Sequence, residues 1–134
     1  MGLDNQQLLV LDFVKLQHGE QKRKYTHEPY WHHVKSVAEI VSEYEPSGIE
    51  IALCHDLFED TQCTFTQLHN SLLSFGYVRE DAYDFVSIDT FADYYNLDKS
   101  KAEKAIRIGR TINEQRHKLK HTPKQNPKPF AISV

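Results

Sequence analysis

An all-helical fold is what this sequence predicts, and three observations predict it. Apolar residues recur at i, i+3, i+4 and i+7, most clearly at Val34, Val37, Ala38 and Val41, the period of one helix face. Two capping-box patterns, Thr64-x-x-Gln67 and Ser100-x-x-Glu103, mark helix starts. No segment alternates apolar and polar residues as a half-buried strand would, and there is no internal repeat.

Taken in order, Asp4 caps a first helix that turns Leu8, Leu11, Phe13 and Val14 toward a core, and Gly19 after His18 stops it. The run Gln21-Lys22-Arg23-Lys24-Tyr25-Thr26-His27-Glu28-Pro29 is a polar connector, since three successive cations before a proline favour an exposed loop. Such a run is either a solvated surface or a clamp for phosphate or a planar base. Pro29 suits the opening of a second helix, whose apolar stripe passes beside His33. Pro46-Ser47-Gly48 is a turn. A third helix then buries Ile49, Ala52 and Leu53 and delivers His55 and Asp56. The fourth runs from Thr64 through Leu68 and Leu72 and closes at Gly76, and the fifth spans 78–87 with Val78, Ala82 and Phe85 in register. Residues 88–97 carry no decisive pattern and read as a helical turn or a loop. A sixth helix from Ser100 to about Lys120 faces Ala102, Ala105, Ile106, Gly109 and Ile112 inward, and Thr122-Pro123 ends it. Three of the five prolines fall in the last twelve residues, which predicts an irregular tail over 121–134.

With 134 residues, the chain suits one domain with its own core, placed at 1–120. It has no membrane-length apolar run and no basic-then-apolar start, so the expected setting is cytoplasmic, with no membrane partner. Cys54 and Cys63 lack C-x-x-C spacing and read as reduced thiols. The net charge of −3 conceals a strong segregation. Residues 1–98 carry six Lys/Arg against seventeen Asp/Glu, while 99–134 carry ten against two. A basic end calls for a polyanion or for an acidic surface on the same or a sister chain. A solvated charged helix explains it better than nucleic-acid binding does.

The chemistry concentrates in His55-Asp56-Leu57-Phe58-Glu59-Asp60-Thr61, which sets an imidazole and three carboxylates within six positions. On one continuous helix Glu59 lies a turn beyond His55 and Asp56, and Asp60 a turn beyond Asp56, so the polar heads gather at one exit. An imidazole beside a carboxylate suits a hard-to-borderline divalent metal, and a second acidic pair can orient or deprotonate a water on it. Acidic residues at a solvent-facing helix end are also ordinary, so this stretch alone does not decide the matter. His32-His33, upstream, adds to the case for a metal.

Two stretches together resemble the HD-domain phosphohydrolases, and among them the guanosine tetraphosphate (ppGpp) hydrolases, including the small stand-alone type. Residues 18–38 are similar to that branch's H-x-G-Q-x-R-K segment followed by P-Y-x-x-H-P. Residues 53–64, Leu-Cys-His-Asp-Leu-Phe-Glu-Asp-Thr-Gln-Cys-Thr, resemble its L-L-H-D-x-x-E-D-T. The likeness covers about the first 87 residues and implies an HD-domain helical bundle. It implies His33, His55 and Asp56 as metal ligands, with Glu59 and Asp60 positioning or activating the hydrolytic water. Arg23 and Lys24 are implied beside the nucleotide. The implied cofactor is a divalent metal, manganese first, with iron or zinc as alternatives. The implied reaction removes the 3′-pyrophosphate of the alarmone, so the expected partner is a nucleotide or another phosphorylated small molecule.

The chain departs from the pattern in two places. His33 is followed by Val34 where the family has proline, which touches no ligand. More seriously, the family takes a last metal-ligand aspartate from a later A-D-x-x-x-N-L-like run. Ala92-Asp93-Tyr94-Tyr95-Asn96-Leu97 resembles that run but comes early and one residue short. Either Asp93 supplies the fourth ligand, or the family's last helix is missing and the metal has three protein ligands. In the second case a second copy of the chain, in a homo-oligomer, or its own tail is left to cover the cleft. A Zn²⁺ site works with three protein ligands. Two function classes therefore compete: a metal-dependent nucleotide pyrophosphohydrolase, and a degenerate HD domain that binds a nucleotide or partner with little catalysis.

Overall fold

The computed structural model describes residues 2–120, the side chains of 119 and 120 excepted, so the expected irregular tail over 121–134 lies outside the described residues. Within them the chain is all-helical. Its α-helices are α1 (Asn5–His18), α2 (Tyr30–Ser42), α3 (Ile49–Cys54), α4 (Leu57–Asp60), α5 (Phe65–Ser74), α6 (Arg79–Val86), α7 (Ile88–Asn96) and α8 (Lys101–Lys120), with a 3₁₀ turn at Pro46–Gly48. The only pairing of extended backbone among the described residues is an isolated bridge between Lys22 and Pro29.

The short helix α3 is the centre of the bundle. All six of its residues are buried, so it carries its successor His55 straight into the core. Around it pack α1, α2, α6 and α8. The α2 stripe Val34, Val37, Ala38 and Val41 is buried as its period predicts. The 3₁₀ turn lies hard against α8 at two glycines. A Cβ on Gly109 would stand 2.5 Å from Gly48 N, and one on Gly48 would stand 2.4 Å from the Ala105 carbonyl oxygen. Only hydrogen at both Cα atoms lets the two backbones approach this closely.

Several starts and stops follow the predicted chemistry. Asp4 and Gln7 form a capping box on α1, and Gly19 (φ 59°) closes it. Thr64 and Gln67 do the same for α5, and Ser100 Oγ accepts from Glu103 N at the start of α8. Other expectations are corrected. Leu8 is 43% exposed, and Val10 takes the inward position instead. Val78 precedes α6 and is 60% exposed. On α8 the deepest positions are Ala105, Ile108, Gly109 and Ile112, while Ala102 and Ile106 are half-buried. The stretch 88–97, open between helical turn and loop, is α7, with Ser87 Oγ capping Thr90 N. Cys54 and Cys63 are both free and buried. Among the described residues no helix is long and apolar enough to cross a membrane.

Candidate metal centre

The chain does not keep one helix through residues 49–60. α3 ends at Cys54, and Asp56 (φ −105°, ψ 3°) leaves helical geometry before α4 begins. This break divides the four polar heads that a continuous helix would have gathered. His55 and Asp56 are buried, whereas Glu59 and Asp60 are exposed on α4. Phe58 fixes α4 from beneath, with its ring 4.3 Å from that of Phe65 and 4.9 Å from that of Phe91.

His55 is fully buried, and its Nδ1 faces the Ala52 carbonyl oxygen within hydrogen-bond distance. A carbonyl can only accept, so Nδ1 carries a proton and the ring turns Nε2 toward Asp56. That Nε2 has no hydrogen-bond partner, although Asp56 Oδ2 lies only 2.8 Å away. Tyr95 donates its hydroxyl to the backbone carbonyl of His55 and so fixes the ring's root. His33 on α2 brings its Nε2 to 3.9 Å from the same Asp56 oxygen, and the two imidazoles stand nearly perpendicular, 79° apart, with centroids at 5.4 Å.

The donor atoms of His33, His55 and Asp56 all lie within 4.8 Å of one another, the one such group of His, Cys, Asp and Glu among the described residues. Donors about 2.1 Å from a shared ion stand roughly 3.0–3.4 Å apart in tetrahedral or octahedral order. The His55–Asp56 pair already has about that spacing, and a small approach by His33 completes three corners. With His55 neutral, its buried Nε2 and the adjacent carboxylate oxygen are both acceptors, the chemistry a cation satisfies. The donor set therefore fits a divalent ion.

The electrostatics agree. Burial pushes the His33 ring down to about 4, and the neighbouring His55, Arg23 and Lys101 add to the shift against the pull of Asp56. At neutral pH it offers a lone pair rather than a charge. Burial alone would raise the Asp56 carboxyl, but the His55 ring, the Tyr30 hydroxyl and the Lys101 ammonium overcome it and hold the group well below the usual carboxylate range. Tyr30 donates to Asp56 Oδ2, and burial together with Asp56 and Asp60 raises its pKa, so it stays a donor.

The remaining predicted residues divide. Asp60 comes near enough to Tyr30 to act on it, and Glu59 acts on Tyr94 and Tyr95. Arg23 lies on the exposed connector, which Arg23 N→Glu28 O (2.8 Å) and Tyr30 N→Gln21 O (2.9 Å) fold back beside α2, close enough to act on His33. Lys24 turns aside, with its ammonium 5.5 Å above the Tyr25 ring. His32 faces Glu28 instead (3.2 Å). Asp93 is exposed on α7 and has no place in the three-residue group. Consecutive helix positions diverge by about 100°, and Tyr94 takes the inward direction, its ring 5.7 Å from that of His55. A cavity of about 520 Å³ between α5, α6 and the start of α7 touches none of these residues.

Four contributors went unread: Tyr30, Tyr94, Tyr95 and Lys101. Tyr30 stood inside the P-Y-x-x-H pattern and could have been found there. Lys101 follows the Ser100 cap, and only the packing of α8 brings its Nζ to 3.1 Å from Asp56 Oδ1 and 3.0 Å from Oδ2.

Compared with known proteins, the chain is 44% identical over 59 residues to the guanosine-3′,5′-bis(diphosphate) 3′-pyrophosphohydrolase of Aquifex aeolicus (strain VF5). The match covers 42% of this chain and only 8% of that protein. No family model matches the chain, and no solved structure matches it. The likeness supports a link to a hydrolase family.

Proposed function

We propose that this chain is a metal-dependent phosphohydrolase of the HD-domain type, with residues 1–120 as its unit. Its substrate would be a nucleotide pyrophosphate, guanosine 3′,5′-bis(diphosphate) first among the candidates. The observation that carries the reading is the convergence of His33, His55 and Asp56, with a buried and unpartnered nitrogen aimed among them. The partial likeness to a ppGpp pyrophosphohydrolase supports the substrate class.

In this reading the three residues hold the ion. A divalent metal, manganese first, would supply positive charge for a phosphoryl oxygen and lower the pKa of a water. Glu59 and Asp60, carboxylates at the solvent edge of α4, take the proton as the water oxygen bonds to phosphorus. The bond from that phosphorus to the ribose 3′ oxygen breaks, that oxygen takes up a proton to become the 3′-hydroxyl of the nucleotide product, and pyrophosphate is released. Arg23 and Lys24 on the connector balance the phosphate charge. Tyr30 holds the Asp56 carboxylate in place.

The test is pyrophosphate release from ppGpp with manganese present. Glu59→Gln should keep its metal and lose about 100-fold or more in turnover, the range of a general base. Equal activity in that variant contradicts the role given to the acidic pair. A second reading, a degenerate domain that binds a nucleotide or partner, draws support from the exposed position of Asp93 and the three-residue ligand set. Metal-loaded protein that binds ppGpp without releasing pyrophosphate would favour it.

A further inference from the structure

We propose that Lys101 is an internal counter-ion that competes with the divalent cation for Asp56, so that metal occupancy depends on displacing the Lys101 ammonium from that carboxylate. The inference rests on the metal reading above and concerns how that site is regulated.

The geometry is specific. The Lys101 ammonium meets both carboxylate oxygens of Asp56, at 3.1 and 3.0 Å, and these are the atoms Asp56 would offer an ion. Oδ2 also accepts from the Tyr30 hydroxyl and stands 2.8 Å from His55 Nε2. A carboxylate offers about four acceptor positions, so the contacts already present leave little room for a further cation. Binding a metal therefore means moving Lys101 away, because two positive centres on one buried carboxylate repel.

The two partners are unequally anchored. Asp56 has a side chain only 3% exposed, enclosed by its neighbours, whereas that of Lys101 is 41% exposed and can swing into solvent on its flexible stem. The root of the lysine is fixed, however. Ser100 caps α8, and the Gly48–Gly109 crossing locks the helix onto the 3₁₀ turn. The ammonium thus stays tethered beside the site after it is displaced, and it returns when the metal leaves. This is competition by a group held at high local concentration, which lowers apparent affinity by the fraction of time the site is free.

Titration calorimetry with Mn²⁺ alone decides the point, on chelator-stripped wild type, Lys101→Met, Lys104→Met and His55→Ala. Lys104 lies one turn on, above the Tyr94 ring at 5.1 Å, and serves as the charge control. Lys101→Met should bind about tenfold tighter, the gain expected if Lys101 occupies Asp56 for about nine-tenths of the time. Binding by Lys101→Met where wild type shows none is the same result at its extreme. Lys104→Met should stay within about twofold of wild type, since a charge acting at a distance is screened. His55→Ala should not bind. Wild-type binding with Lys101→Met equal or weaker overturns the competition and leaves the metal site standing. An equal gain in Lys104→Met also overturns it, in favour of a general charge effect. No binding in either wild type or Lys101→Met overturns the metal reading and the competition with it.

Discussion

Two buried carboxylates in this core sit in opposite environments. Asp56 is surrounded by His55, Tyr30 and Lys101, which favour its charged form. Glu50, near the start of α3, has no cation acting on it among the described residues. Burial raises its pKa and outweighs the hydrogen bonds from Tyr77 (2.8 Å) and Gln7 (3.2 Å), while Asp4 adds to the rise. A raised folded-state pKa means that the group's contribution is full below its ordinary value of 4.5 and is lost as pH climbs through the folded value. Glu50→Gln keeps an oxygen to accept both bonds, so its thermal midpoint should fall less than that of wild type as pH rises from about 4.5. Parallel pH profiles for the two proteins would contradict this account of Glu50. His33, His55 and Asp56 were legible in the sequence because ligand chemistry restricts residue types and the motif fixes their spacing. Lys101 was not, since its role comes from a contact across 45 positions that no local pattern encodes.

At the scale of elements, the break between α3 and α4 makes the site. A continuous helix would have left Asp56 on a helical wheel with Glu59 and Asp60. The turn at Asp56 instead sends one carboxylate inward and leaves two at the rim. Local signals recovered most helices, because caps and glycine stops are read within three or four residues. α7 escaped for a physical reason. Ser87 both closes α6 and caps α7, so no spacer separates the two and the boundary carries no turn residue. The glycine crossing offers a direct test of packing. Gly109→Ala places a methyl 2.5 Å from Gly48 N and 2.8 Å from its Cα, where backbone cannot yield cheaply. The variant should lose about 3 kcal/mol by denaturant unfolding, at the upper end for an overpacked core. A loss below about 0.5 kcal/mol, typical of surface changes, would contradict the crossing.

Across the whole molecule, the charge segregation finds part of its explanation in the fold. α8 lays basic residues against the acidic remainder: Arg116 reaches Asp81 at 2.8 Å and Asp84 at 3.2 Å, and Lys101 reaches Asp56. An acidic surface on the same chain was one of the partners the sequence left open for its basic end. The all-helical class was legible from periodicity and caps together, and α1, α2, α6 and α8 pack on the same centre. The path of α8 across that centre was not, because Gly109 reads only as an inward position until Gly48 is placed against it.

The central claim is that His33, His55 and Asp56 hold a divalent ion, and metal content tests it most directly. Protein purified without chelator and supplied with manganese would be assayed by plasma mass spectrometry as wild type, His55→Ala and His33→Ala. The His33 variant, at a half-buried position, separates loss of a ligand from loss of fold. The account predicts near-stoichiometric manganese, iron or zinc in wild type and little in either variant. Wild type without metal, or variants that retain it in full, would contradict the claim.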